Sequence, residues 1–191
     1  MAWEERKHAV RMAGRAARSA FPRDARAVAA QAVAARALEI PAVADAHRVL
    51  AYAATRAELD PAPLVRALRA RGAHVAYPRV TAPGEMALHW CDDEGDLAPG
   101  YCGIFEPAAN TPSADAPEFD LILVPGTAFD EACGRIGMGG GFYDRLLPLL
   151  NTDALTLGLA FDEQIVEKVP LEAHDMPLSA VVTPTRTLTR I

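Results

Sequence analysis

The sequence predicts an α/β fold, a single three-layer domain with a mostly parallel sheet flanked by helices. Three observations carry that expectation. Short apolar runs alternate with helix-forming stretches along most of the chain, the pattern of parallel strands joined by crossover helices. Residues 48–77 hold strand, helix and strand within about 30 residues, the length of a βαβ unit. A glycine-rich segment follows the apolar run at 120–124, and ligands of open α/β sheets bind beyond the carboxyl ends of strands.

The elements follow in order. Residues 3–20 are strong helix formers, with Ala9, Val10, Ala13, Ala16, Ala17 and Ala20 as a weak apolar stripe. Lys7, Arg11, Arg15 and Arg18 recur at helical spacing and share one face. Pro22 interrupts, and a second alanine-rich helix spans 24–38 before Pro41. Residues 48–53 read as a buried strand, 60–71 as a helix ended by Gly72, 73–77 as a second strand and 86–90 as a further one. The stretch 91–119, rich in Gly, Pro, Asp and Asn, reads as mostly irregular surface. A buried strand at 120–124, a glycine-rich loop, a helix at 143–150 and strands at 156–161 and 180–183 complete the chain. No repeat or low-complexity linker divides it. It therefore reads as one domain over 1–191, with N-terminal helices (about 3–39) packing on the sheet domain.

Of 191 residues, 51% are hydrophobic and 23% charged, and the mean hydropathy is +0.05, which excludes the disordered and fibrous classes. Nineteen basic against 25 acidic residues leave a net charge of −6. That field repels nucleic acid and anionic membranes, so neither is expected as a partner. An anionic ligand needs a local basic pocket. Cys91, Cys102 and Cys133 lack metal-ligand spacing and point to a reducing compartment. The charged N-terminus lacks the apolar core of a secretion signal, and no apolar run is long enough to span a bilayer. The expectation is a cytoplasmic protein acting on small molecules, as a monomer.

The strongest chemical signal lies between Asp120 and Arg145. Gly134, Gly137, Gly139, Gly140 and Gly141 let backbone approach a ligand, and successive N–H groups at a helix start form an anion cradle. Arg135 and Arg145 supply positive charge. The segment reads as a phosphate site, although neither the P-loop nor the GxGxxG pattern is present. The blander reading is a mobile loop with Asp144 as a helix cap. The tight grouping of arginine, aromatics and aspartate around the glycines favours a ligand.

These residues resemble a family. Val124-Pro125-Gly126-x-Ala128-Phe129-Asp130 and Gly134-Arg135-Ile136-Gly137-x-Gly139-x-Gly141-Phe142-Tyr143-Asp144-Arg145 look like the 5-formyltetrahydrofolate cyclo-ligases, also called 5,10-methenyltetrahydrofolate synthetases. Lys7-x-x-x-Arg11, Tyr52 with Glu58-Leu59-Asp60, Tyr77-Pro78-Arg79 and Gly103-Ile104-Phe105-Glu106-Pro107 are similar to further family segments, in the family's order. So are residues 158–164 and Val169-Pro170-x-Glu172-x-His174-Asp175-Met176-Pro177.

The resemblance implies ATP- and Mg2+-dependent closure of 5-formyltetrahydrofolate to 5,10-methenyltetrahydrofolate, with release of ADP and phosphate. It implies that Lys7, Arg11, Gly134, Arg135, Gly137, Met138, Gly139, Gly140, Gly141, Phe142, Tyr143 and Asp144 bind ATP. Arg135 and Asp144 are the implied catalytic residues, and Asp144 and Asp175 the implied magnesium carboxylates. Tyr52 and Glu58, with Met138, Gly139, Gly140, Gly141 and Phe142, would bind the folate, and Arg79 would face the same cleft. Met138 and Phe142 stand where the family often has tyrosine, and Ser179 where it often has aspartate. His174 is set aside as a turn residue beside Asp175, and Cys133 counts as oxidation-sensitive only if exposed. Two other readings compete: a non-catalytic ATP- or folate-binding protein of the same fold, and an isomerase or transferase for phosphorylated sugars or CoA esters.

Overall fold

Helix α1 (Trp3–Ala20) places Glu4 and Glu5 in its first turn and Arg18 in its last, the charge order that the helix dipole favours. Helix α2 (Arg26–Ala37) buries Ala29, Ala30, Val33, Ala34 and Ala37 at helical spacing. Next come helix α3 (Pro41–Ala44), strand β1 (Arg48–Leu50), helix α4 (Ala62–Arg69), strand β2 (His74–Ala82) and strand β3 (Glu85–Trp90). Two short strands, β4 (Leu97–Pro99) and β5 (Phe105–Pro107), precede β6 (Leu121–Leu123), β7 (Ala128–Asp130) and β8 (Arg135–Ile136). Helix α5 (Phe142–Leu146) then leads to β9 (Leu155–Leu159), β10 (Ile165–Val166), β11 (Ala180–Val182) and β12 (Thr187–Thr189). This computed structural model describes residues 3–55, 57–91, 94–114, 119–150, 153–172 and 175–190.

Seven strands form the main sheet in the order β12-β11-β9-β6-β1-β2-β3. The four inner pairs are parallel, and the two edge strands, β12 and β3, run antiparallel to their neighbours. On one face Val33, Val43, Leu64 and Leu68 pack against Val49, Leu121 and Leu157. On the other, Leu50, Ile122 and Val181 meet Phe129, Tyr143, Leu146 and Leu147. Each such side chain, fully buried, contributes about 1.5–3 kcal/mol. The result is the three-layer α/β arrangement that the sequence predicts.

The chain leaves β1 toward β2 and β3 on one side and leaves β6 toward β9 and β11 on the other. The strand order therefore reverses between β1 and β6. A crevice opens at the carboxyl ends of two strands where their connections diverge.

The structure corrects the sequence expectations in several places. Strand β2 runs on to Ala82, past residue 77 where the sequence reading ends it. Ladder pairing with β1 reaches only Ala76, so at Pro78 strand β2 pairs with β3 and no longer with β1, and a proline is tolerated there. The stretch expected to be irregular surface holds the antiparallel β4–β5 ribbon. The helix expected over 143–150 is α5 followed by a 3-10 turn at Leu147–Leu149 with a proline at its start. Strand β12 carries no apolar run and is unannounced in the sequence.

The glycine-rich segment is also more ordered than a loop. Strands β7 and β8 pair antiparallel, and β10 joins β7 to make a second, three-stranded sheet. Helix α1 lies on this small sheet, where Val10 packs with Ala128, Ile136 and Val169. Gly14 permits that approach, since a Cβ there would stand 2.4 Å from the Thr127 carbonyl oxygen.

Candidate active site

A cleft of about 490 Å3 opens at the carboxyl ends of β1 and β6. Helix α1 supplies Lys7 and Arg11, and the turn after β1 supplies Tyr52 and Glu58. The segment after β6 supplies Arg135 and then Gly137, Met138, Gly139, Gly140, Gly141, Phe142, Tyr143 and Asp144, with Asp175 on the remaining wall. Two expected residues stand apart. Gly134 does not line the cleft; its N–H donates to Asp130 Oδ1 at 2.7 Å, and a Cβ there would press on that carboxylate. Arg79 is directed at the Pro107 carbonyl oxygen, 2.9 Å away. His174 lies outside the described residues.

The charged groups are paired across the cleft. Lys7 Nζ donates to Asp175 Oδ2 at 2.7 Å and to Glu172 Oε2 at 2.6 Å. Burial opposes the ammonium charge, but the hydrogen bonds to Asp175 and Glu172 outweigh it and hold Lys7 above its usual pKa. Arg11 Nε donates to the Gly137 carbonyl oxygen at 3.0 Å and so ties α1 to the glycine segment. Arg135 is bound to Asp144 and also donates to the Pro125 carbonyl oxygen. Helix α5 begins after Gly141, whose φ of 65° places it in the left-handed region where glycine carries no Cβ penalty.

The other end of the cleft is built around Glu58. Its Oε1 accepts from Arg18 Nη1 at 3.0 Å, and its Oε2 accepts from the Thr55 N–H at 2.8 Å and the Thr55 hydroxyl at 2.9 Å. Both side chains of the Arg18–Glu58 pair are more than nine-tenths buried. Tyr52 donates its hydroxyl to the Leu59 carbonyl oxygen at 3.1 Å. Burial, and next the Glu58 charge, push that phenol well above its ordinary pKa. The β4–β5 ribbon overhangs this end, with Tyr101 edge-on to Phe142 at 6.3 Å between ring centroids. Tyr101, Phe105 and Met138 leave about half of their surface exposed around the mouth.

The sequence pattern of the 5-formyltetrahydrofolate cyclo-ligase family matches residues 3–184. The chain belongs to that family. It is 35% identical to the 5-formyltetrahydrofolate cyclo-ligase of Escherichia coli K12 over 160 residues, which cover 82% of this chain and 88% of the relative. It is 34% identical to the cyclo-ligase of Mycolicibacterium smegmatis over 143 residues, or 72% and 74% of the two chains. Among solved structures, the 5,10-methenyltetrahydrofolate synthetase of Aquifex aeolicus superposes with a TM-score of 0.83 at 27% identity, over 96% of this chain and 92% of that one. The Mycoplasma pneumoniae synthetase shares the fold, with a TM-score of 0.73 at 19% identity, over 93% and 98% of the two chains.

Within this cyclo-ligase chain, several residues of the family-like segments serve the scaffold. Asp130 is buried and accepts three backbone N–H groups, from Ala132, Gly134 and Val169, which fixes the β7–β8 turn. Gln164 pins the start of the same segment by donating to the Gly126 and Thr127 carbonyl oxygens. Cys133 is wholly buried in that turn, and burial, then the Asp130 charge, push its thiol above its usual pKa. It is therefore no oxidation site. Residues with no role expected from the sequence also shape the cleft. Buried Glu106, on β5, lines its wall, and Glu172, outside the lining, shares Lys7 with Asp175. Arg18 holds Glu58 from behind.

Proposed function

We propose that this chain catalyses the ATP-dependent closure of 5-formyltetrahydrofolate to 5,10-methenyltetrahydrofolate, releasing ADP and phosphate. The observation that carries the reading is the two-ended cleft in a chain of the cyclo-ligase family. One end is lined by cationic and glycine-rich backbone groups, and the other by a fixed carboxylate under exposed aromatic rings. Phosphate suits the first. A flat heterocycle bearing N–H donors suits the second, where Glu58 accepts and Tyr101, Phe105 and Phe142 offer apolar faces.

An amide oxygen is a poor leaving group until it is phosphorylated. The formyl oxygen attacks the terminal phosphorus as the bond to ADP breaks. N10 then adds to the activated carbon, the C–O bond breaks, and phosphate leaves with the former formyl oxygen and the N10 proton. The task of the chain is to position two substrates and neutralise phosphate charge. Lys7, Arg11 and Arg135 serve the phosphates, together with the backbone from Gly137 to Tyr143. In that role Lys7 and Arg135 exchange the carboxylates they now hold for phosphate oxygens. Tyr52, Glu58, Met138 and Phe142 serve the folate.

Magnesium would be held by Asp144 and Asp175, and when bound it would offset phosphate charge. The donor chemistry fits. Both are carboxylates on the cleft wall, and this ion takes one or two carboxylates with substrate phosphates and water. On this reading the chain acts as a monomer in the cytoplasm; among the described residues, no helix is long and apolar enough to cross a membrane.

Incubation with 5-formyltetrahydrofolate and MgATP, followed by methenyl absorbance, tests the reading. The expected result is methenyl product with ADP release that depends on the formyl compound. Binding of both ligands without product would leave a passive binder instead.

A further inference from the structure

Three tyrosines line the cleft, and their hydroxyls are treated differently by the fold. Tyr52 spends its hydroxyl on the Leu59 carbonyl oxygen, and Tyr101 is half exposed. Tyr143 is only 9% exposed, and its hydroxyl oxygen is buried with no hydrogen-bond partner among the described residues. Such a group is unfavourable in a free protein and calls for an explanation. Its position supplies one. The charges that act on this phenol are Glu58, from the carboxylate end of the cleft, and Arg135, from the phosphate end. Tyr143 lines the cleft that joins those two ends, and its phenol O–H can donate a hydrogen bond to a ligand held there.

We propose that the Tyr143 hydroxyl donates a hydrogen bond to the formyl oxygen of the bound folate, at the seam where that oxygen meets the terminal phosphate. The inference rests on the cyclo-ligase reading and adds to the backbone role of Tyr143 in the phosphate cradle. The bond engages one lone pair of the formyl oxygen while the other attacks phosphorus. When the C–O bond breaks, the electron pair returns to that oxygen, and the phenol steadies the charge without giving up its proton. A donor left unmet in the free protein is thereby satisfied only when substrate is present.

Tyr143→Phe keeps the ring and removes the oxygen. With the parent measured alongside, kcat and kcat/KM for 5-formyltetrahydrofolate should fall together by about ten-fold or more, with KM for ATP unchanged. The melting temperature of the ligand-free protein should stay level or rise, because no internal hydrogen bond is lost. Tyr52→Phe, which does lose one, should melt lower. Parental kcat in Tyr143→Phe overturns the proposal, as does a change confined to KM for ATP. A fall in melting temperature like that of Tyr52→Phe also overturns it, by showing that the hydroxyl is structural. An inactive parent would instead fault the cyclo-ligase reading, and the phenol's role with it.

Discussion

Asp144 is the third residue of α5 and is bound to Arg135, while the helix start shows no side-chain cap. The sequence offered a helix cap as the plain alternative to a metal ligand, and the structure replaces that alternative with an ion pair. The difference changes what a substitution does. Asp144→Asn keeps an oxygen for Arg135 but removes the charge opposite a guanidinium that is 5% exposed. Stability should fall by about 1 kcal/mol. Turnover should fall far more, with partial recovery at high Mg2+, since a hard cation prefers the charged oxygen. Thermal melting and a magnesium titration of kcat check both parts. Parental activity at limiting Mg2+ would remove Asp144 from the metal site. The cleft residues that the resemblance marks were legible because they stand in ordered motifs. The pairings of Arg18 with Glu58 and of Glu172 with Lys7 were not, because the partners lie 40 and 165 residues apart in the chain. Only folding brings those pairs together.

Helix α1 shows the same limit at the scale of an element. Its span matched expectation, since 18 residues of strong helix formers leave little choice. Its seat did not follow from the pattern, because the apolar stripe does not reveal that β7, β8 and β10 form a sheet of their own. That sheet pairs strands of two and three residues, too short to leave a period-two signal. Gly14 records the docking. Alanine there gains about 1 kcal/mol of helix propensity, but its methyl would meet the rigid Thr127 backbone at 2.4 Å. Overpacking of that kind costs about 1–3 kcal/mol. Gly14→Ala should therefore lower the melting temperature and raise KM for ATP, because Lys7 and Arg11 ride on the displaced helix. A higher melting temperature with unchanged KM would mean that α1 can shift freely.

Across the whole molecule, the alternation of strands and helices made the three-layer fold readable, because parallel strands buried on both faces must be short, apolar and separated by helices. The site was readable as a glycine-rich segment at a strand end. What composition could not supply was the strand order, and with it the reversal between β1 and β6 that opens the cleft where Glu58 and the glycine-rich segment face one space. The central claim is that this shared space lets the formyl oxygen reach the terminal phosphate of ATP. Turnover of 5-formyltetrahydrofolate carrying 18O in the formyl group, with mass analysis of the released phosphate, tests it directly. The account predicts one labelled oxygen per phosphate formed. Methenyl product accompanied by unlabelled phosphate, with the label lost to water, would contradict it.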